Sequence, residues 1–232
     1  MYTHTVTLRH NELTGKLYQE NPAHTTLVVV CHGYKSSSAH PALSTITKGL
    51  SDEGYATFTF NFSGRKPLDI ASQIADIDSI VAHFSGEYPN IVLLAGSFGA
   101  LSASIAAQSL HVKGLVTLNG FFGSARLGYR YLPTFLAFRL LAILSPWHKK
   151  IWNVFKHEFK PNRIIAPVLV IHSKVDEMVS VTQSKVFFQK VTSHKQFIEL
   201  DDADHNLSSI EATKRIIAET DTWLKRTVSP LG

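Results

Sequence analysis

Residues 91–110 read Ile91-Val-Leu-Leu-Ala-Gly-Ser-Phe-Gly-Ala-Leu-Ser-Ala-Ser-Ile-Ala-Ala-Gln-Ser-Leu110, an apolar run that breaks at Ala95-Gly96-Ser97-Phe98-Gly99 into an Ala-rich helical pattern. This is the spacing of a strand, a sharp turn and a helix, the nucleophile elbow, whose turn holds one residue in a strained backbone conformation. Residues two before and two after that residue come so close that only small side chains fit, and Ala95 and Gly99 are both small. Ser97 would then stand clear of its own backbone at the carboxyl edge of a sheet. The amides that follow would be turned toward negative charge developing on a bound carbonyl. Small-x-Ser-x-Gly strings also arise by chance and in purely structural turns, so the surroundings decide the weight of this one.

Working outward, Thr26-Leu-Val-Val-Val-Cys31 is a continuous apolar strand of the kind buried on both faces, and it ends in His32-Gly33-Tyr34. Downstream, Val168-Leu-Val-Ile171 runs into His172-Ser-Lys-Val-Asp176, and Phe197-Ile-Glu-Leu200 runs into Asp201-Asp-Ala-Asp-His205. Each candidate polar residue follows a strand. The order Ser97, Asp176, His205 differs from the orders of the chymotrypsin and subtilisin triads and is that of α/β hydrolases.

On these residues the chain resembles the α/β-hydrolase superfamily, and within it the small carboxylesterases near the cinnamoyl/feruloyl esterases and the serine aminopeptidase-like group. The resemblance runs from His32-Gly33 through the elbow to Asp176 and His205, nearly the whole chain, and departs where the usual first glycine of the elbow is Ala95. It implies Ser97 as nucleophile, His205 as the base that takes and returns its proton, and Asp176 as the group that fixes the imidazole tautomer. It also implies an oxyanion hole made from the backbone amides of Tyr34 and Phe98. Asp201, Asp202 and Asp204 crowd His205 in sequence and are alternatives to Asp176, although residues so near usually shape a turn. His32 is expected to shape the oxyanion loop, and His40, before Pro41, to open the next helix. With no His-Glu-x-x-His pattern and no Cys/His cluster, neither a metal nor a cofactor is expected.

The rest of the chain fits an α/β fold. Residues 3–9 and 13–20 alternate as an antiparallel hairpin around Asn11-Glu12. Strands are then expected near 26–31, 55–61, 90–95, 114–119, 167–172 and 196–200, with helices near 40–52, 68–85, 98–110, 181–192 and 207–226. Such alternation implies a mostly parallel sheet with right-handed crossovers, which binds ligands beyond the carboxyl ends of its strands. At 232 residues, 44% hydrophobic and 18% charged, the chain is expected to form a single α/β-hydrolase domain over 1–232. The start at Met1-Tyr-Thr-His has no basic or apolar signal region, and the one cysteine, Cys31, ends an apolar strand, so the expected compartment is the cytoplasm.

Residues 121–163 interrupt the alternation and are expected to form a small helical cap. They carry 8 of the 23 Lys and Arg residues but only one of the 18 acidic ones, Glu158, so this piece bears a formal +7 and the remainder −2. They also hold ten of the 24 aromatic residues. Leu132, Phe135, Leu136, Leu140, Ile143 and Leu144 recur at helical spacing between Pro133 and Pro146, a run too short to span a bilayer. An apolar face laid on the core, a lid lining a pocket, and a surface docking weakly on an anionic partner are all consistent with this composition.

The expected substrate is a small-molecule carboxylic ester with an aromatic or short-to-medium apolar acyl part; no nucleic acid partner is expected. A thioesterase acting on a phosphate-bearing carrier suits the positive insert as an alternative, whereas the ammonium group of an aminopeptidase substrate does not. A hydrolase-fold binding module is the reading from a different class. Because an imidazole must be neutral to accept a proton, activity is expected to fall on acidification through roughly pH 6 to 7. A flat rate profile from about pH 5 to 8 would exclude a histidine base.

Overall fold

The backbone of a strand turns successive side chains to opposite faces, so a strand that is apolar at every position needs cover on both sides. The computed structural model, which describes residues 2–8, 13–21, 24–63, 69–123 and 159–228, meets this need with helices on both faces of one eight-stranded sheet. The strands are β1 (Tyr2–Leu8), β2 (Leu13–Gln19), β3 (Thr26–Cys31), β4 (Ala56–Phe60), β5 (Asn90–Gly96), β6 (Gly114–Leu118), β7 (Val168–Ser173) and β8 (Lys195–Leu200). The helices are α1 (Pro41–Asp52), α2 (Ile70–Phe84), α3 (Phe98–Ala106), α4 (Val181–Lys190) and α5 (Ile210–Thr227).

The spatial order is β1-β2-β4-β3-β5-β6-β7-β8. β1 pairs with β2 and β2 with β4 antiparallel, with Leu8 opposite Leu13 and Leu17 opposite Phe58. Every other pair is parallel, with Val29 opposite Leu93 and Thr117 opposite Val170. The expected hairpin and the six further strands are present, each end within one or two residues of its expected place.

Residue parity divides the core. Leu27, Val29, Cys31, Leu93, Ala95, Leu115 and Val170 join one buried cluster with Ile77, Ile80 and Phe84 of α2, the alanines of α3 and Phe187 of α4. Their neighbours Val28, Val30, Val92, Leu94, Val116, Leu169 and Ile171 join the other, with Leu43, Ile46 and Leu50 of α1 and Ile216, Trp223 and Leu224 of α5. The result is a three-layer arrangement in which all of β3, β4, β6 and β7 is buried.

Helix ends follow local chemistry. Asp69 caps α2 by accepting the Ser72 amide hydrogen at 3.2 Å, and Ser209 caps α5 by accepting that of Ala212 at 3.3 Å. Pro41 starts α1 directly after His40, whose side chain makes no cap bond. All five helices are shorter than the periodicity predicts, and α3 and α5 show a local cause. α3 ends at Ala106, where the Gln108 and Ser109 amides turn back to carbonyls three residues earlier. α5 begins at Ile210 rather than near 207, because Leu207 has φ of 56° and cannot continue a right-handed helix. The expected cap falls largely on residues 124–158, which lie outside the described residues; of its ends, Pro161–Arg163 form one 3-10 turn.

Trp223 tests this layering. It is 1% exposed and packs so tightly on β6 that a Cβ at Gly114 would come within 2.9 Å of its ring. Trp223→Ala is expected to lower unfolding free energy by about 3–5 kcal/mol in a denaturant titration. Trp223→Phe should cost less, because the indole nitrogen makes no hydrogen bond.

Candidate active site

The sheet order dictates where the site lies. β3 continues through α1 to β4 on one side, whereas β5 continues through α3 to β6 on the other, so the connections diverge at the carboxyl ends of β3 and β5. A crevice opens at such a switch point. His32-Gly33-Tyr34 follows β3 and Ser97 follows β5.

Ser97 has φ of 49° and ψ of −122°, a conformation strained for any residue with a Cβ. Its amide donates to Leu118 O at 2.9 Å and its carbonyl accepts from Phe121 N at 2.9 Å, so both peptides of the turn are tied to the end of β6. Gly99 brings α3 against the end of β3: a Cβ there would collide with the carbonyl oxygens of His32 and Cys31. Gly33 lies over the serine, where a Cβ would stand 3.0 Å from Ser97 Cβ and 3.5 Å from Oγ. The Phe98 amide, the first of α3, has no partner within the helix and faces the N-terminal end, where an anion is favoured.

Ser97, His205 and Asp176 meet although they leave three different strands. Ser97 Oγ lies 3.0 Å from His205 Nε2, and His205 Nδ1 lies 2.7 Å from Asp176 Oδ2. A carboxylate can only accept, so Nδ1 carries the proton and Nε2 turns its lone pair to the serine hydroxyl. Asp176 Oδ1 accepts the amides of Met178 at 2.9 Å and Val179 at 2.7 Å. On its far side the fully buried His172 donates from Nε2 to Val179 O at 2.9 Å, stands 3.4 Å from Asp176 Oδ2, and accepts from Ser184 Oγ at 2.7 Å.

Burial alone would raise the Asp176 carboxyl, but the His172 and His205 imidazoles and the Val179 amide outweigh it and hold it well below the usual carboxylate range. Since the folded value is depressed, the stabilisation from ionised Asp176 is complete above the ordinary carboxylate range and is lost in strong acid, as pH falls through the folded value.

Two of the acidic residues beside His205 in sequence have other partners. Asp201 pairs with Lys174 at 2.6 Å, and Asp204 accepts the amide and hydroxyl of Ser208 at 2.7 and 2.8 Å. His32 donates from Nδ1 to Gly33 O at 2.9 Å and accepts the Phe62 amide on Nε2 at 3.3 Å. Burial pushes its pKa down, against the hydrogen bond to Gly33, so the neutral ring ties the loop after β3 to the segment after β4.

Three polar residues that sequence reasoning passed over also converge here. Asn119 Nδ2 donates to the carbonyls of Asp204 and His205 at 3.2 and 3.1 Å, and Glu177 Oε2 accepts the His205 amide at 3.0 Å. His172 is the third. Asn119 and His172 each stand at the end of an apolar strand, the signal that singled out the other candidates.

The alpha/beta hydrolase family matches the chain over residues 28–220, and the chain belongs to that family. By sequence it has no match among curated proteins. In structure it is similar to Est1E from Butyrivibrio proteoclasticus, at a TM-score of 0.77 and 14% identity over 97% of this chain and 99% of that one. It is also similar to a dienelactone hydrolase from Anabaena variabilis, with a TM-score of 0.71 and 17% identity over 97% of this chain and 98% of that one. Alpha/beta hydrolase domain-containing protein 10 from mouse gives 0.72 and 15% over 97% and 99%. Est1E is also known with ferulic acid bound. Among the described residues no helix is long and apolar enough to cross a membrane.

If Asp176 orients His205, Asp176→Asn should lower kcat by about 10³- to 10⁴-fold with little change in KM, because the amide favours the wrong tautomer. Asp202→Asn and Asp204→Asn should do far less. Steady-state kinetics of the three variants would assign the role to the cluster beside His205 if the ranking were reversed.

Proposed function

We propose that the protein is a serine hydrolase that cleaves carboxylic esters with aromatic or short-to-medium apolar acyl groups. The observation that carries this reading is the pair of hydrogen bonds linking Ser97 Oγ to His205 at 3.0 Å and His205 to Asp176 at 2.7 Å, built on a strained elbow. In this reading His205 Nε2 takes the proton of Ser97 Oγ as the oxygen attacks the ester carbonyl. The resulting oxyanion is held by the amides of Tyr34 and Phe98, and Asp176 stabilises the imidazolium. Collapse breaks the bond to the alcohol oxygen, which takes the proton from His205, leaving an acyl group on Ser97. Water, deprotonated by His205, then attacks that acyl group and releases the acid and the serine.

The acyl preference rests on the apolar ground beside the elbow. Phe98 stacks on Phe121 at 5.8 Å and joins Ile70, Leu101 and Ile105 in a cluster apart from the two faces of the sheet, with Phe159 packed against it. Large exposed apolar side chains also stand on the segments that carry the site: Tyr34, Val175 and Met178, with Ile210 just beyond His205. Ferulic acid is an aromatic acid, so its presence in Est1E favours the same choice here. The aromatic insert would complete the pocket as a cap and set the limit on acyl length. Its formal +7 favours one second reading, a thioesterase acting on a phosphate-bearing acyl carrier.

Ser97→Ala should leave the fold intact and reduce turnover by about four orders of magnitude or more, with fluorophosphonate labelling abolished. Retention of a tenth of the activity would end the proposal. A panel of esters and thioesters of increasing acyl length separates the two readings. An apolar pocket should improve kcat/KM by up to several-fold per methylene until it is full. Absence of labelling in the folded wild-type protein would favour a binding module.

A further inference from the structure

The candidate base begins far from the nucleophile. β8 is three strands from β5, about 14 Å at the usual strand spacing, so the segment after β8 must cross the ends of β7 and β6 to bring an imidazole to Ser97. A free loop would sample many positions over that distance. Something has to hold it.

We propose that Asn119, assisted by Glu177, is the positioning residue that holds the peptide of His205 within reach of Ser97. The proposal rests on the hydrolase reading for its kinetic consequence but on geometry for its existence. Asn119 follows β6, the strand between those of Ser97 and Asp176, and its amide donates to Ile171 O at 3.0 Å. The residue is only 2% exposed, and the hydrogen-bonding groups of its side chain face three different peptides. Oδ1 accepts the Ser173 amide at 2.9 Å, and Nδ2 donates its two hydrogens to the carbonyls of Asp204 at 3.2 Å and His205 at 3.1 Å. The partners fix the orientation of the amide, since a flip would face donor to donor and acceptor to acceptors. On the opposite side of the same residue, Glu177 Oε2 accepts the His205 amide hydrogen at 3.0 Å. The backbone of His205 is thus gripped at both N–H and C=O, by side chains from the ends of two neighbouring strands.

The residue type is demanding. The position needs one acceptor, two donors and φ of 45°, a left-handed conformation that asparagine tolerates better than most residues. Aspartate keeps the size, the acceptor and the tolerance for positive φ but loses both donors and sets a carboxylate against two carbonyl oxygens.

The test compares the wild-type protein with Asn119→Asp and Asn119→Gly, with circular dichroism to establish folding. One readout is the downfield proton resonance of His205 Nδ1, which reports the hydrogen bond to Asp176 in the resting protein without any substrate. The other is kcat and KM on a short ester. Asn119→Asp is expected to lose or broaden the proton signal and to lower kcat by about 10²-fold, the effect of displacing a reacting group by roughly 1 Å, with KM close to wild type. Retention of the wild-type signal in either folded variant overturns the proposal whatever the turnover. If both Asn119 variants fail to fold, the exposed Glu177 decides: Glu177→Ala should weaken the signal, and Glu177→Gln, which keeps an acceptor oxygen, should recover most of it. Equal signals in those two variants and the wild type overturn the proposal. An inactive wild-type protein with the signal intact would remove the hydrolase reading alone, since the clamp is read independently of turnover.

Discussion

The close approach of α3 to the end of β3 is the constraint on which the site depends. Gly99 lets the helix backbone pass against the carbonyls of His32 and Cys31, and only with that contact can Ser97 be held at φ of 49° over the crevice. The contact joins the strands whose onward connections diverge, so the opening made by the topology and the point of greatest backbone strain coincide. Ala95, buried in the core on the other side of the turn, keeps the strand close by being small. A larger residue at either position would push the turn out of the geometry that exposes the serine hydroxyl.

Strain is concentrated rather than spread. Among the described residues, those other than glycine with positive φ are Lys35, Ser97, Asn119 and Leu207. Lys35 follows Tyr34, Leu207 is two residues beyond His205, and Asn119 grips the His205 peptide. Each left-handed residue sits on a different loop, and all four loops leave the carboxyl edge of the same sheet. Such conformations persist only where the surroundings over-determine them, here through the hydrogen bonds of Ser97 and Asn119 and the buried strands from which those loops spring.

Asp176 shows how an apolar frame carries a charge. An unpaired carboxylate at its burial would be neutralised by proton uptake, but two amides and two imidazoles surround it and favour the ionised form. Two of these partners, Met178 and Val179, lie on its own turn, so part of the site assembles locally. The imidazoles come from β7 and from beyond β8, and they depend on the sheet being complete.

What the sequence by itself determined about this protein is what local pattern can express. Runs such as Thr26–Cys31 and Val168–Ile171 are legible as strands because burial on both faces forces apolar residues at every position. The elbow is legible because the steric demand of the turn leaves small residues at fixed offsets from Ser97. The candidates Asp176 and His205 are legible because polar residues that end such strands fall at one edge of a parallel sheet. Only the tertiary structure decided which groups meet there. The partners of His205 lie 29 residues away at Asp176 and 108 at Ser97, and Asn119 reaches its carbonyl across 86. Asn119 looks like an ordinary residue ending a strand, and Glu177 like an exposed neighbour of Asp176. Their grip on the histidine comes from the sheet order, which brings loops distant in sequence within one hydrogen bond of each other, and no local period or composition encodes that distance.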